Sequence, residues 1–331
     1  MLDLPRLQRL KLTSEPRIHD VMGHLLTASY LKPPRTRIVA EGFEKVPSTP
    51  VIFAMNHTDR YNYFPFQVYI WRSAKRYTAT WVKGKYYEHP MLATFMEMTN
   101  QLPTVSRGYL ITKDFVATVG RAPSDAEYAA LRARVDSVAF GRPMPESDVE
   151  LPEILFTRER DMLGRRFDPR RETYEEGVNA LFGAMMRRFT ELNRQALELG
   201  LDVIIFPQGT RSKRLSRGHV GIAQLALKFK ATVVPVGCNG SDYVYPGASP
   251  FAKGGTITYR FGDPIPYEAM AEYHVPTDFE PFTPEAETLY RDRFQGYVDE
   301  VMERVNDLLD PEYRFSEDRG SQGVKGSARF I

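Results

Sequence analysis

The sequence predicts an α/β fold: a mainly parallel sheet flanked by helices, with a helical arm ahead of it and a helical insertion inside it. Two observations carry that prediction. "VIFAM" (51–55), "DVIIF" (202–206) and "TVVPV" (232–236) are near-continuous apolar runs, as expected of strands covered on both faces. The first two are each followed by a polar loop and then by a stretch with helical periodicity, which is the order of a parallel sheet.

Residues 1–35 form the arm. "IHDVMGHLLTASYL" (18–31) reads as a short amphipathic helix that "KPPRTR" ends, because proline fixes φ and lacks an N–H. A helix this short packs on the protein's own core sooner than on lipid. The α/β domain then runs from 36 to 310. "TRIVAEG" (36–42), "VIFAMN" (51–56) and "YTATWVKG" (77–84) read as strands, and "YNYFPFQVYIWRS" (61–73) as a helix.

Residues 109–172 are rich in Arg, Pro and acidic side chains and read as an insertion or lid, since a structureless stretch of that length is unusual in a compact domain. Ser124 and Glu127 have capping-box spacing ahead of a helix within it. Thr173 and Glu176 repeat the spacing, and Val178, Leu181, Phe182, Met185, Phe189, Leu192 and Leu199 then recur with helical period until Gly200. "GHVGIAQLALKFK" (218–230) reads as a helix, "ATVVPVG" (231–237) and "GTITYRF" (255–261) as strands. From Thr283 and Pro284, a last helix places Phe294, Val298, Val301, Val305 and Leu308 on one face. Residues 311–331 end in a polar, Gly/Ser-rich stretch and are expected to be disordered.

Lys plus Arg number 44 against 42 Asp plus Glu, so no global basic field points to nucleic acid. The single cysteine, Cys238, excludes an internal disulfide and a Cys-rich zinc site, and fits a reducing, cytoplasmic setting. His19, His24, His89 and His219 have no metal-ligand spacing. No run approaches the roughly 18 apolar residues of a spanning helix, so a membrane, if involved, is met at its surface.

"NHTDRYN" (56–62), "PQGTRSKR" (207–214) and "GCNGSD" (237–242) follow the three apolar strands. Ligands of open α/β sheets bind beyond the carboxyl ends of the strands, so these loops are expected to converge. In the second, Gly209 permits a sharp turn, Thr210 and Ser212 offer hydroxyls, and Arg211, Lys213, Arg214 and Arg217 concentrate positive charge. Such a cluster suits a phosphate or is a solvated basic turn.

"NHTDRYN", "TVSRG" (104–108), "FPQGTRS" (206–212) and "VVPVGCNG" (233–240), in that order, resemble the four motif blocks of the glycerolipid acyltransferase superfamily, lysophosphatidic acid acyltransferase type. "WVKGKYYEHPML" and "FGDPI" agree as flanks, and the resemblance covers roughly 36–108 and 173–265. It implies a glycerol-3-phosphate acyltransferase-like fold and acyl transfer from acyl-CoA or acyl carrier protein to a lysophospholipid hydroxyl, with no metal or other cofactor. By matching position, His57 would be the general base. Arg107 and Arg211 would hold the acceptor phosphate, Gly209 and Thr210 would shape the loop beside it, and Pro235 belongs to the fourth block. Trp81 and Lys83 could line the acyl-donor groove, with interior packing as the other reading of Trp81. Tyr61, Tyr63, Phe64, Phe66 and Trp71 read as core or acyl-tunnel wall, not as a nucleic-acid platform. Attachment would be peripheral, on the inner face of the membrane.

Two departures stand out. The family's Asp five residues after the histidine is Asn62 here, and its Glu between Pro and Gly is Gln208. An asparagine can select the histidine tautomer but supplies no full charge to an imidazolium. Asp59 could supply that charge if the loop is irregular, and Asn62 could equally cap the helix that follows. Gln208 could bind acceptor hydroxyls or merely fill the shape of a glutamate. The loss of both carboxylates motivates a second reading, a silent lipid- or acyl-carrier-binding regulator of a membrane enzyme; a third, transfer to an amine or a non-phosphorylated alcohol, has the retained arginines against it.

Overall fold

The computed structural model describes residues 1–320 and 326–330. Seven strands form one sheet: β1 (Thr36–Glu41), β2 (Ile52–Met55), β3 (Thr78–Lys83), β4 (Gln101–Thr104), β7 (Asp202–Ile205), β8 (Val233–Asn239) and β9 (Gly255–Phe261). Their order is β1-β9-β8-β2-β7-β3-β4, and β5 (Arg160–Met162) and β6 (Arg165–Phe167) make a separate hairpin. The five strands from β8 to β4 are parallel, while β9 runs antiparallel to β8 and carries β1 in parallel beside it. The fold is therefore α/β with a mainly parallel sheet. Every residue of β2, β7 and β8 is buried, whereas β9 alternates over its second half, as expected near an antiparallel edge.

Alternate side chains of each strand feed two cores. Ile52, Ala54, Val203 and Ile205 face α8 (Tyr174–Glu198), α9 (Gly221–Phe229) and α11 (Pro284–Asp307). Val51, Phe53, Met55 and Ile204 face α3 (Tyr63–Ala74), together with Tyr30 and Tyr245. The arm serves this packing. Leu7 of α1 (Leu4–Arg9) joins the larger core, and α2 (Arg17–Leu31) lies so close to α3 that a Cβ on Gly23 would sit 2.7 Å from the Trp71 ring.

The segment 109–172 builds part of the main core and is not a detachable lid. Nine consecutive residues of α5 (Arg107–Val119), from Arg107 to Phe115, are buried. Leu131 and Val135 of α6 (Asp125–Ala139), Leu155 of α7 (Ile154–Thr157) and Phe167 of β6 share their core with the sheet. Arg160 locks the hairpin to α5 through two hydrogen bonds to Asp114, of 2.7 and 3.0 Å. Both expected capping boxes form, at Ser124 with Glu127 and at Thr173 with Glu176. Thr283 caps α11, accepting from the Ala286 N–H. Unexpected from the sequence are α4 (Pro90–Met98) and the short α10 (Ser241–Val244).

The disorder expected from residue 311 does not hold for Tyr313. It is 1% exposed, its hydroxyl donates to Asp242 at 2.6 Å, and its carbonyl accepts from the Leu215 N–H at 2.8 Å. Ser327 is buried too, and Phe330 packs against the core. The remainder of that expectation, at 321–325 and 331, lies outside the described residues.

Asp202 clamps the start of the central strands. It accepts the Val51 N–H at 3.0 Å and the Arg76 Nε at 2.7 Å, while Arg76 also donates to the carbonyls of Pro47 and Thr49. Asp202→Ala strands a largely buried guanidinium, and a loss of roughly 3–5 kcal/mol is expected in denaturant unfolding. A loss below about 1 kcal/mol, the value of a surface pair, would contradict this reading.

Candidate active site

Strand β2 lies between β8 and β7 with all three parallel, so the loops at their carboxyl ends emerge side by side, as expected. Asn56 fixes the departure point of the first loop. Its side chain donates to the Cys238 carbonyl at 2.9 Å and accepts the Cys238 N–H at 2.7 Å, extending the ladder to β8 by one side-chain step.

His57 is then held by four neighbours. Its N–H donates to Gln208 Oε1 at 2.9 Å, and its carbonyl accepts the Ser212 N–H at 2.9 Å. Its ring stacks on Phe206 with centroids 4.1 Å apart and planes at 20°. Its Nδ1 lies 3.1 Å from Asn62 Oδ1. The orientation of that amide follows from its other bond: Asn62 Nδ2 donates at 2.8 Å to the Asn56 carbonyl, which can only accept. Oδ1 therefore faces the imidazole, the proton sits on Nδ1, and Nε2 keeps its lone pair.

Asn62 is 0% exposed and does not cap α3 through its side chain. Its φ and ψ of −58° and −17° are already helical, and its oxygen is taken by His57. Asp59 is no substitute carboxylate: it turns back on its own loop, accepting from the Tyr61 N–H at 2.8 Å and the Thr58 hydroxyl at 3.0 Å, an Asx turn.

Burial drives the His57 pKa down to about 3; the Asn62 bond opposes this, and the nearby charges of Arg211 and Lys83 add to it. The imidazole is neutral at neutral pH. Lys83 is pulled down to about 8, by burial first and then by Arg329, Lys85 and Arg211. Among the described residues neither Lys83 nor Arg211 makes an ion pair.

The other basic residues of the second loop are spent on structure. Lys213 bonds the Tyr243 hydroxyl at 3.1 Å, Arg214 donates to the Phe315 carbonyl at 3.3 Å, and Arg217 pairs with Asp299 at 2.8 Å. Gly209 adopts φ +67°, and a Cβ there would lie 2.8 Å from the His219 ring. Thr210 beside it is buried.

Gln208 does not face an acceptor hydroxyl. It is 1% exposed, its oxygen holds the His57 N–H, and its nitrogen donates to the Arg214 carbonyl at 3.3 Å and the Ser216 hydroxyl at 3.4 Å. This position needs a donor and an acceptor on one side chain, which an ionised glutamate cannot supply.

Arg107 is not gathered with Arg211. Its Nε donates to Asn179 at 2.7 Å, its guanidinium lies 4.4 Å over the Phe182 ring, and the charges acting on it are Asp136, Glu287 and Arg132. Gly108 after it leaves room for the Tyr128 hydroxyl, which a Cβ would approach to 2.3 Å. Trp81 takes the packing role: its Nε1 donates to Asn193 at 2.8 Å and its ring meets Phe189 edge-on at 4.9 Å. Tyr63, Phe64 and Trp71, with Met22 and Leu26 of α2 and Phe95 of α4, line an apolar cleft. Tyr63 lies 6.3 Å from Phe206, the ring on which His57 stacks.

Three neighbours of His57 and Lys83 escaped the sequence reading. Phe206 looked like the end of a strand, Lys85 stood two residues beyond Lys83, and Arg329 lies in a segment with no local signal. No group of side chains able to hold a metal ion occurs among the described residues.

No family model and no curated protein matches the chain. Among solved structures, it is similar to the 1-acyl-sn-glycerophosphate (LPA) acyltransferase PlsC from Thermotoga maritima, at 13% identity and a TM-score of 0.40, over 92% of this chain and 78% of that one. Likeness at that level carries no information on chemistry.

Proposed function

We propose that the protein is an acyltransferase that moves an acyl group from a thioester, acyl-CoA or acyl carrier protein, to a hydroxyl of a lysophospholipid such as lysophosphatidic acid. The observation that carries this reading is a neutral imidazole of fixed tautomer, His57, near two cations, Lys83 and Arg211, that no ion pair among the described residues neutralises. The four motif blocks support it. A regulator without chemistry would have no use for an oriented base.

In this reading the acceptor phosphate sits on Lys83 and Arg211, with Arg107 outside the cradle. His57 Nε2 takes the hydroxyl proton as the oxygen attacks the thioester carbonyl. The C–O bond forms, the tetrahedral intermediate collapses, the C–S bond breaks, and the thiolate leaves with the proton from His57. The phosphate also offsets the two cations that disfavour imidazolium, so a phosphorylated acceptor assists its own deprotonation. The apolar cleft between α2, α3 and α4 holds only about 40 Å³, so it takes no more than the end of an acyl chain. Exposed Val21 and Leu25 on α2 and Met91 and Leu92 on α4 provide a peripheral membrane contact at the cytoplasmic face. No helix among the described residues is long and apolar enough to cross a membrane.

Mass-spectrometric detection of phosphatidic acid from acyl-CoA and lysophosphatidic acid tests the reading; a product only from a non-phosphorylated or amine acceptor would overturn it. The pH dependence is a second check. Lys83 is cationic below a pKa of about 8, so acceptor binding is expected to weaken as pH rises through that value, and Lys83→Met removes this limb. His57 stays neutral down to about 3, so no His57 limb is expected in kcat/KM between about pH 5 and 7. The acceptor's own second phosphate ionisation, near pH 6, is the one change expected there.

A further inference from the structure

Arg107 raises a separate question, because a buried guanidinium with no carboxylate partner is costly unless something anionic meets it. It is 6% exposed and makes no ion pair among the described residues; its one protein hydrogen bond there is to a neutral amide, Asn179. Among the described residues the two terminal nitrogens have no hydrogen-bond partner. Arg107 lines a cavity of about 320 Å³ between α6, α8 and residues 280–284, a volume at the lower end of ligand pockets.

The walls are mostly apolar, with Val138, Phe182, Met186 and Phe282 among the lining side chains. Phe282 stands at φ +64°, a region bulky side chains rarely adopt, and its N–H is held there by the side-chain oxygen of the fully buried Gln224. Strain of this kind is found at ligand clamps. The charge balance narrows the ligand. Glu176 and Glu280 stand exposed at the rim, and Asp136 and Glu287 act on Arg107 from a distance, but Arg132 pairs with Asp136 at 2.6 Å and Arg187 lies 4.0 Å from Glu280, so Arg107 is the guanidinium left here without an ion pair among the described residues. A single negative charge is matched there; a phosphate dianion is opposed.

We infer that this cavity is a binding site for a fatty carboxylate, with the carboxylate on Arg107 and the chain along Phe182, Met186 and Phe282. The site is distinct from His57 and does not depend on the acyl-transfer reading.

The test is calorimetric titration of the full chain with dodecanoate, dodecanol and dodecyl phosphate. Saturable dodecanoate binding is expected, at least about tenfold tighter than either analogue, unchanged in His57→Ala and weakened at least about tenfold in Arg107→Met. Gly183→Leu gives a second variant at a helical cavity-lining position where a Cβ meets only Arg187 Nη1, at 3.5 Å, with the melting temperature as its check on folding. It fills the cavity, so it is expected to abolish binding at an undiminished melting temperature. No saturable binding, equal affinity for dodecanol, tighter binding of dodecyl phosphate, loss in His57→Ala, or full affinity in Gly183→Leu would each overturn the assignment.

Discussion

Replacing His57 by alanine is expected to lower acceptor-dependent thioester cleavage by about 10²–10⁴-fold, the usual worth of a positioned general base. The fold should survive the change. The backbone of residue 57 keeps its bonds to Gln208 and Ser212, which hold the loop whatever side chain it carries. The acceptor's KM should move little, because Lys83 and Arg211 remain. A variant that retains more than about a tenth of wild-type kcat would show that the proton leaves by another route.

Asn62 is expected to matter nearly as much, through the tautomer. Asn62→Leu frees Nδ1 and leaves the Asn56 carbonyl without its donor, so the loop loses about 1–3 kcal/mol and the ring its fixed proton. The corresponding loss of tautomer control in a Ser-His-Asp triad costs about 10⁴ in kcat, which sets the upper bound. Asn62→Asp acts in the opposite sense on charge. A carboxylate beside the imidazole favours the protonated form, so the His57 pKa rises from about 3 and an acid limb moves up towards the ordinary histidine range. A kcat/KM profile for Asn62→Asp that overlays the wild type would refute the assigned contact.

Much of this architecture is written in local sequence. Runs such as "DVIIF", short, β-branched and bounded by turn residues, suit a strand buried on both faces, and the two capping boxes mark the starts of their helices. The edge strand β4 was hidden by Pro103, which a sheet tolerates at an edge, where a strand need not donate every N–H. Helix α5 was hidden by its charges. Lys113 and Asp114 look solvent-facing, yet Lys113 meets Glu88 at 2.8 Å and Asp114 meets Arg160 at 2.7 Å, so both are buried as pairs.

The site divides the same way. The five-residue spacing from His57 to Asn62 was legible because both lie on one loop. Which basic residues of 211–217 remain for a ligand was not, since Asp299, Tyr243 and Phe315 claim three of them from distant parts of the chain. Arg107 was misplaced because its direction depends on the rotation of α5, which packing against α6 and α8 decides.

Free thiol released from acyl-CoA, measured with and without lysophosphatidic acid and repeated with acyl carrier protein as donor, tests the central claim most directly. The account predicts acceptor-dependent release with at least one donor and its loss in His57→Ala. Thiol release that ignores the acceptor, or no release with either donor from protein that still binds lysophosphatidic acid, would contradict it.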